Sequence, residues 1–438
     1  MKRSTRRPPR PVNPTSTEAS TEASTADVGT TAPPEESRRA RAILNEIIGG
    51  NVTISVLAVV LALAAGGILI AVTDPAVQQA STYFFGRPGD VIGAAWAAVA
   101  GAYTALFQGA VFQPAAGDFT LQIRPLTETL AFATPLIVAG LGVGLAFRVG
   151  LFNIGGRGQM LIAAACAGWV AVTVDLPPAV HLPLAMIVGV AGGALWGALA
   201  GVLKARTGAH EVIVTIMLNY VAFYLVSYLL RTPVLQAPGS NNPKSAPLAE
   251  SATLPLLFGP GYSVTMGFPI VIVVTVVVWW LMSRSSLGYQ FRAVGLNPNA
   301  ARFAGIDVKN MYVWAMLISG ALVGLAGVLQ VLGPARAGFT SGVDAGIGFD
   351  AITVALLGRS RPVGVFVAGI LFGAFKAGGF TMQAAQGIPI DIVLVVQSLI
   401  VLFIAAPPLV RAVFRLPRPD QLHARRHARI TTRKAASA

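Results

Sequence analysis

The chain alternates between long apolar runs and short polar or glycine-rich interruptions from Thr53 to Ala406. An apolar run of roughly 20 residues is long enough to cross a hydrocarbon core of ~30 Å as a helix. The predicted spans are Thr53–Val72, Thr127–Phe147, Gly158–Val174, Leu182–Leu203, Val212–Leu230, Phe268–Met282, Tyr312–Leu332, Phe349–Leu357, Val363–Phe380 and Pro389–Ala406. The pattern therefore predicts an all-α, polytopic integral membrane bundle of about ten spans.

Two segments depart from simple crossings. The run Val91–Phe112 is rich in Ala and Gly and has few large aliphatic residues, so we expect a helix lying in the outer interface. The stretch from Phe349 to Phe380 is interrupted by "LLGRSRPVG", in which Pro362 and two glycines forbid one continuous helix. We expect its two pieces to meet on the inner side of the membrane.

A weak internal duplication is also visible. In each half of the chain a span meets an Arg-bearing, glycine-rich break, "VGLFNIGGRG" in the first half and "LLGRSRPVG" in the second, and a Gly/Ala-rich span follows. Duplicated halves are common in transporter folds.

The charge distribution predicts the orientation and the domain limits. Of the 438 residues 54% are hydrophobic and 11% are charged, with a net charge of +14. Eight Lys and Arg residues lie in 1–41, eight in 411–438 and four in 284–309. Basic residues concentrate on the cytoplasmic side. We therefore expect a disordered basic cytoplasmic tail at 1–41, a transmembrane domain at 42–410 with a cytoplasmic loop at 284–310, and a basic cytoplasmic tail at 411–438. Both tails should contact anionic lipid rather than nucleic acid.

The break "GLFNIGGRGQM" places Phe152, Asn153 and Gln159 beside four glycines, where one helix ends and another begins. One interpretation is a tight inner turn in which Asn153 caps the next helix. The other is a break that borders a translocation path, because unwound backbone at membrane depth is tolerated where it lines a cavity. The residues alone leave both open.

The stretch "HEVIVTIMLNY" places Glu211, Thr215 and Asn219 on one helical face. Glu211 is expected to be a favourable carboxylate at the positive end of a helix. Asn219 and Tyr220 either line a path or make interhelical contacts. Snorkelling toward an interface would explain Lys376 without any function.

The polar stretch "VGLNPNAARFAGIDVKN" lies between two apolar spans. Asn297 and Pro298 suit the cap and first turn of a helix, and Gly305 suits its end. A linker needs no such order. We therefore expect a short amphipathic helix that docks a soluble partner.

These stretches carry a resemblance to a known family. "NAARFAG", Asn299–Gly305, resembles the Glu-Ala-Ala-x-x-x-Gly coupling motif of ABC importer permeases, with Asn299 where Glu is usual. "RAVGLNPNAARFAGI" is similar to the sugar/branched-chain-amino-acid permease family, and "LFNIGGRGQM" and "EVIVTIMLNY" resemble its nucleoside and simple-sugar importers. "FDAITVALLGRSRPVG", which contains Asp350, matches that family's last broken segment. The likeness covers roughly Thr53 to Ala406.

The resemblance implies the permease subunit of an ATP-driven importer of a small neutral polar solute, such as a nucleoside or simple sugar, in a bacterial cell membrane with both termini cytoplasmic. It implies three kinds of partner, namely cytoplasmic ATPase subunits, a second permease and an extracytoplasmic solute-binding lipoprotein. The implied ATPase-coupling residues are Asn297, Pro298, Asn299, Ala300, Ala301, Arg302 and Gly305. The substrate-path candidates are Phe152, Asn153, Gln159, Asn219, Tyr220 and Asp350.

No P-loop motif occurs in the sequence, so ATP is expected on the partner subunit. We expect no enzymatic activity, no cofactor and no metal in this chain. An ion-coupled secondary transporter or channel is the alternative. It would need clustered intramembrane carboxylates, and the spans offer few of these.

Overall fold

The computed structural model describes residues 51–415, and these residues form helices joined by loops, with two isolated β-bridges as the only extended pairing among them. The predicted tail at 1–41, and residues 416–438 of the second tail, lie outside the described residues. The helices are α1 Asn51–Thr73, α2 Pro75–Ser81, α3 Pro88–Ala110, α4 Phe119–Arg148, α5 Gly156–Thr173, α6 Pro178–Thr207, α7 Glu211–Leu229, α8 Gly267–Arg284, α9 Ser286–Leu296, α10 Pro298–Phe303, α11 Val308–Leu332, α12 Ile347–Leu357, α13 Pro362–Gln386, α14 Ile390–Ala405 and α15 Pro407–Val413.

Eight helices of the described chain are long and apolar enough to cross a membrane, namely α1, α3, α4, α6, α7, α8, α11 and α13. Two shorter apolar helices, α12 and α14, complete the predicted set together with α5, which is 18 residues long and mostly buried. The prediction of an all-α polytopic bundle is confirmed. Helix α3, which contains most of the run Val91–Phe112, has the length and composition to cross, so its interfacial placement stays a prediction.

Helices α6 and α11 pack closely, and glycines form the contact between them. A Cβ added at Gly193 would lie 2.6 Å from Gly324 Cα, and one added at Gly197 would lie 2.8 Å from Gly320 Cα. Small residues let backbones approach closely where lipid supplies no hydrophobic drive for association. The glycines at four-residue spacing therefore serve close packing in this pair.

The helices define two ends of the bundle. At one end, which we call the coupling end, the turn after Arg148 contacts Gly295, and Arg148 Nε donates to Ser360 O at 3.1 Å. At the opposite end, which we call the far end, the loop 230–266 bonds to the ends of α5 and α11. There Ala249 N donates to Ala171 O and Leu254 N donates to Leu332 O.

Helix α5 begins inside the bundle instead of at the coupling end. Arg148 ends α4, yet Asn153 hydrogen-bonds Ser319, which lies midway along α11. The connection 149–155 therefore turns back into the bundle, and α5 starts at about half depth and runs to the far end.

Candidate functional site

Two helices begin at the same interior point. The Cα of Gly348, near the start of α12, would lie 3.3 Å from a Cβ added at Gly156, the first residue of α5. Helix α12 then runs toward the coupling end, because it ends next to the turn that contains Ser360, and α5 runs toward the far end. The amino-terminal ends of two helices thus converge at half depth, an arrangement that transporters use at solute sites. We call this point the half-depth break.

The break lies at the residues that the sequence indicated. The N-cap of α5 is Gly155, without a side-chain cap bond, so the first of the two interpretations, in which Asn153 caps this helix, is wrong. Asn153 is fully buried, accepts from Gly155 N at 3.0 Å and donates to Ser319 Oγ at 2.8 Å. Asn153 and Gln159 also bond each other through both amide groups. The side chain holds the unwound backbone in place, since a buried amide without partners is costly.

Helix α7 fixes the same backbone from a second direction. Asn219 Oδ1 accepts from Gly158 N at 2.8 Å, and Asn219 Nδ2 donates to Ile154 O at 2.9 Å. Glu211, Thr215 and Asn219 are all buried, as their predicted common face requires. Glu211 also pairs with Lys204 at 2.6 Å, joining the start of α7 to the end of α6 at the coupling end.

Two ion pairs surround the start of α12. Arg157 Nε lies 3.4 Å from Asp344 Oδ1, and Lys376 Nζ lies 3.2 Å from Asp350 Oδ2. Lys376 also donates to Ala345 O at 3.2 Å. The expectation that Lys376 snorkels to an interface is therefore wrong, because its ammonium group pairs inside the bundle. Each of these four charges has an opposite partner, which limits the cost of burying it.

The six path candidates divide by exposure. Asn153, Gln159 and Asn219 are buried in hydrogen bonds, whereas Phe152 and Tyr220 are more than half exposed. Asp350 is partly exposed beside Lys376. All six belong to, or directly adjoin, the elements that meet at the half-depth break. Their contact with a solute stays a prediction.

The predicted amphipathic helix is present as α10. Asn297 Oδ1 accepts from Asn299 N at 3.0 Å and from Ala300 N at 3.1 Å, and Pro298 occupies the first helical turn. Gly305 ends the helix with a φ of 82°, and Ile306 N bonds back to Ala301 O. A left-handed residue at this place is the usual helix stop. The local prediction is confirmed in each of these contacts.

The loop 284–310, which we call the coupling loop, exposes two large apolar side chains that the sequence analysis missed. Leu296 is 88% exposed and Phe303 is 95% exposed, at the ends of α9 and α10. Ala301, between them, is buried against the bundle. Exposed apolar groups of this kind mark interaction surfaces.

The coupling loop is wedged against the break that leads to α5. Phe291 and Val294 of α9 are fully buried. Gly295 touches the turn after α4 so closely that an added Cβ would overlap Arg148 O and lie 3.0 Å from Arg148 C. Arg148 in turn bonds Ser360, in the break between α12 and α13. The end of α9 is thus in contact with the turn after α4 and, through Arg148, with the break between α12 and α13.

The far end carries an open cleft of about 940 Å³ between the start of α6, the loop 248–260 and the segment Arg336–Ala337. Its polar groups include Glu250, Ser251 and Arg336. In residues 51–415 no three or more His, Cys, Asp or Glu side chains are grouped as metal ligands. The chemistry of the described residues is that of hydrogen bonds and paired charges.

These features define a class of protein. Helices that can cross a membrane surround two half-depth helices that meet inside the bundle, and an exposed capped helix at one end is wedged against their connections. This is the architecture of a membrane permease.

Comparison with known proteins identifies the family. The family model of the branched-chain amino acid transport system permease component matches residues 126–405, so the chain belongs to this family. The guanosine ABC transporter permease protein NupP of Bacillus subtilis (strain 168) is 39% identical over 319 residues, covering 72% of this chain and 88% of that protein. The glucose ABC transporter permease protein TsgB13 of Haloferax volcanii is 38% identical over 288 residues, covering 64% and 75%.

A third relative, the nucleoside ABC transporter permease protein NupB of Lactococcus lactis subsp. cremoris, is 33% identical over 308 residues, covering 69% of this chain and 84% of that protein. No solved structure matches the chain. The predicted likeness to nucleoside and sugar members of the family is confirmed, and the chain is the permease subunit of an ABC transporter and a multi-pass membrane protein.

Proposed function

We propose that this permease imports a nucleoside or a simple sugar, with α10 as the point where a cytoplasmic ATPase subunit acts. The observation that carries the proposal is the wedge between the coupling loop and the half-depth break. Gly295 and Arg148 are in backbone contact, and Arg148 holds Ser360. A partner that displaces α10 thus moves the segments on both sides of the interior site.

The substrate class is supported by the relatives and by the site. Proteins 39% and 33% identical to this chain are named for guanosine and for nucleosides, and one 38% identical is named for glucose. Around the half-depth break the charges are paired, while Phe152 and Tyr220 are exposed. A neutral, polar and partly flat solute fits such surroundings, because the four charges described there neutralise one another in pairs.

Three partners complete the transporter in this proposal. ATP is bound and hydrolysed on the ATPase subunits, which contact Leu296 and Phe303. A second permease subunit closes the path beside this chain. A solute-binding lipoprotein delivers the substrate to the far-end cleft, whose size suits a protruding loop. The coupling end and both termini face the cytoplasm of a bacterial cell, and the surrounding partner is membrane lipid.

The test is uptake by the reconstituted transporter. The chain, its ATPase, the second permease and the binding protein are placed in proteoliposomes with labelled uridine, guanosine or ribose. We expect ATP-dependent accumulation of at least one of them and none without the ATPase. Uptake by this chain alone, driven by an ion gradient, would refute the proposal.

A second experiment tests the docking surface. Phe303→Asp should abolish copurification of the ATPase subunit, because it places a charge at the exposed end of α10. Phe85→Asp is the matched control, since Phe85 is equally exposed, at 99%, but lies in the turn between α2 and α3. Normal ATPase recruitment and transport by Phe303→Asp would show that α10 is not the docking element.

A further inference from the structure

Three tyrosines form a ladder along one face of α7. Tyr220, Tyr224 and Tyr228 are spaced four residues apart, so successive rings are about 6 Å apart along the helix axis. They are 57%, 67% and 65% exposed. We call these three residues the tyrosine ladder.

The ladder faces away from the rest of the chain. Thr215 and Asn219 lie on the buried face of α7, and the principal neighbours of this helix are α5 and α6. The helix thus lies at the edge of the bundle. Within residues 51–415, the tyrosine ladder has no helix packed over it.

Lipid is an unfavourable neighbour for this face. None of the three tyrosine hydroxyls makes a hydrogen bond within the described part of the chain. A hydroxyl without a partner in hydrocarbon costs free energy, so an amphipathic ring is at home only near the membrane surface. Tyr228, next to the far end of α7, could occupy such a surface position, but Tyr220 is two turns deeper.

Helix α8 gives a comparison for this face. Its exposed side chains include Val273, Val276 and Val277 in mid-helix and the indole rings of Trp279 and Trp280 nearer its end. The outward face of α7 also carries aliphatic side chains, but of these two helices only α7 adds exposed hydroxyls at regular spacing. These hydroxyls, and not the face as a whole, call for polar partners beside α7.

The ladder reaches the half-depth break. Tyr220 follows Asn219, whose amide bonds Gly158 N and Ile154 O at the start of α5. The ring of Tyr224 meets that of Phe223 edge-on, with centroids 5.4 Å apart. Arg157, the second residue of α5, lies over the Phe223 ring at 4.8 Å. The rungs thus extend from the far end to the level of the break.

We propose that Tyr220, Tyr224 and Tyr228 line the aqueous route from the far end to the half-depth break and bind the flat base of a nucleoside. This inference rests on the proposed function, in which the second permease closes the path opposite α7. Aromatic faces stack on any heterocyclic base, and phenolic hydroxyls can bond its edge. Repeated rungs about 6 Å apart would let the base move from one ring to the next.

Accessibility to water is the first test. Cys166 is the only cysteine, so a Cys166→Ala background carries one introduced thiol at a time. In the complete transporter in membranes, Tyr224→Cys and Tyr228→Cys should react with a charged, membrane-impermeant thiol reagent, and uridine should slow that reaction. Val276→Cys, on the outward face of α8, is the control and should not react. An unreactive thiol at both ladder positions would overturn the inference, whether lipid or the second permease covers them.

Transport by one variant that removes the ring and one that keeps it is the second test. Tyr224→Leu should raise the KM for uridine at least about fivefold, the range expected for the loss of one stacked base, while ribose uptake stays unchanged. Tyr224→Phe should retain most of the nucleoside affinity. Trp280→Leu on α8 is the matched control. Equal KM values for Tyr224→Leu and the wild type would refute the binding of the base by the tyrosine ladder. Absence of nucleoside uptake by the wild type would instead refute the proposed function.

Discussion

Gly295 makes the contact through which the coupling loop acts on the interior of the permease, and the change Gly295→Ala tests it. The added Cβ would overlap Arg148 O and lie 3.0 Å from Arg148 C and 3.2 Å from Val149 C. Carbon atoms at rest are about 3.5–4.0 Å apart. Because the added Cβ would overlap a carbonyl oxygen, the end of α9 must move away from the turn by at least about 1 Å, and both partners are backbone, which no side-chain rotation can relieve.

The magnitude follows from the kind of contact. Forcing an extra methyl group into a close-packed site costs about 1–3 kcal/mol. If that cost applies only to the conformation in which α9 and the turn are in contact, it shifts the conformational equilibrium by about 5–150-fold. Helix α10 itself is untouched, so the ATPase should still bind. We expect Gly295→Ala to hydrolyse ATP with little or no substrate transport.

The assay compares ATP hydrolysis with substrate uptake in the reconstituted transporter, together with ATPase copurification. Gly93→Ala in α3 is the control, because nothing lies within 4 Å of its added Cβ. That change should leave transport normal and slightly favour the helix. Wild-type transport per ATP in Gly295→Ala, with a normal melting temperature, would refute the idea that this contact carries the movement.

Three further predictions address the interior of the bundle. Asn153→Ala removes the acceptor for Gly155 N and the donor to Ser319. The melting temperature of the purified permease should fall, because each buried group left without a partner costs about 1–3 kcal/mol. An unchanged melting temperature would contradict the structural role of this amide. Lys376→Met should slow transport because it leaves Asp350 without its partner. Combining Lys376→Met with Asp350→Asn should recover part of the lost transport in a double-mutant cycle. Additive losses of transport would show that the two charges act independently. Gly197→Leu should prevent the permease from folding, because an added Cβ at this position already lies 2.5 Å from Met316 O. Gel filtration should show aggregated protein for Gly197→Leu and a monodisperse peak for the control Gly93→Leu. A monodisperse peak for Gly197→Leu would contradict the close α6–α11 contact.

The fold was predictable from sequence where a single segment determines its own structure. Apolar length fixed the spans, and in α10 the Asn297 cap, Pro298 and Gly305 were each readable because helix ends obey local rules. The common buried face of Glu211, Thr215 and Asn219 followed from helical periodicity. In these cases the deciding interactions lie within a few residues.

The site was less predictable because its deciding contacts join distant parts of the chain. The partner of Asn153 is Ser319, 166 residues away, and that of Lys376 is Asp350, 26 residues away, so neither the amide network nor the ion pair could be derived from spacing. The return of 149–155 to half depth depends on the same distant bonds. The exposure of Phe303 depends on which face of α10 the bundle covers, and only Ala301 being buried settles it.

The glycine contact between α6 and α11 has a consequence for how such a machine can move. Where two backbones touch directly there are no side chains to rearrange, so we expect α6 and α11 to move together as one rigid body. Helix α11 begins directly after α10, so a force applied to α10 would act on this rigid body at the amino-terminal end of α11. We therefore expect bending to occur in the unwound segments 149–155 and 358–361, which would act as hinges.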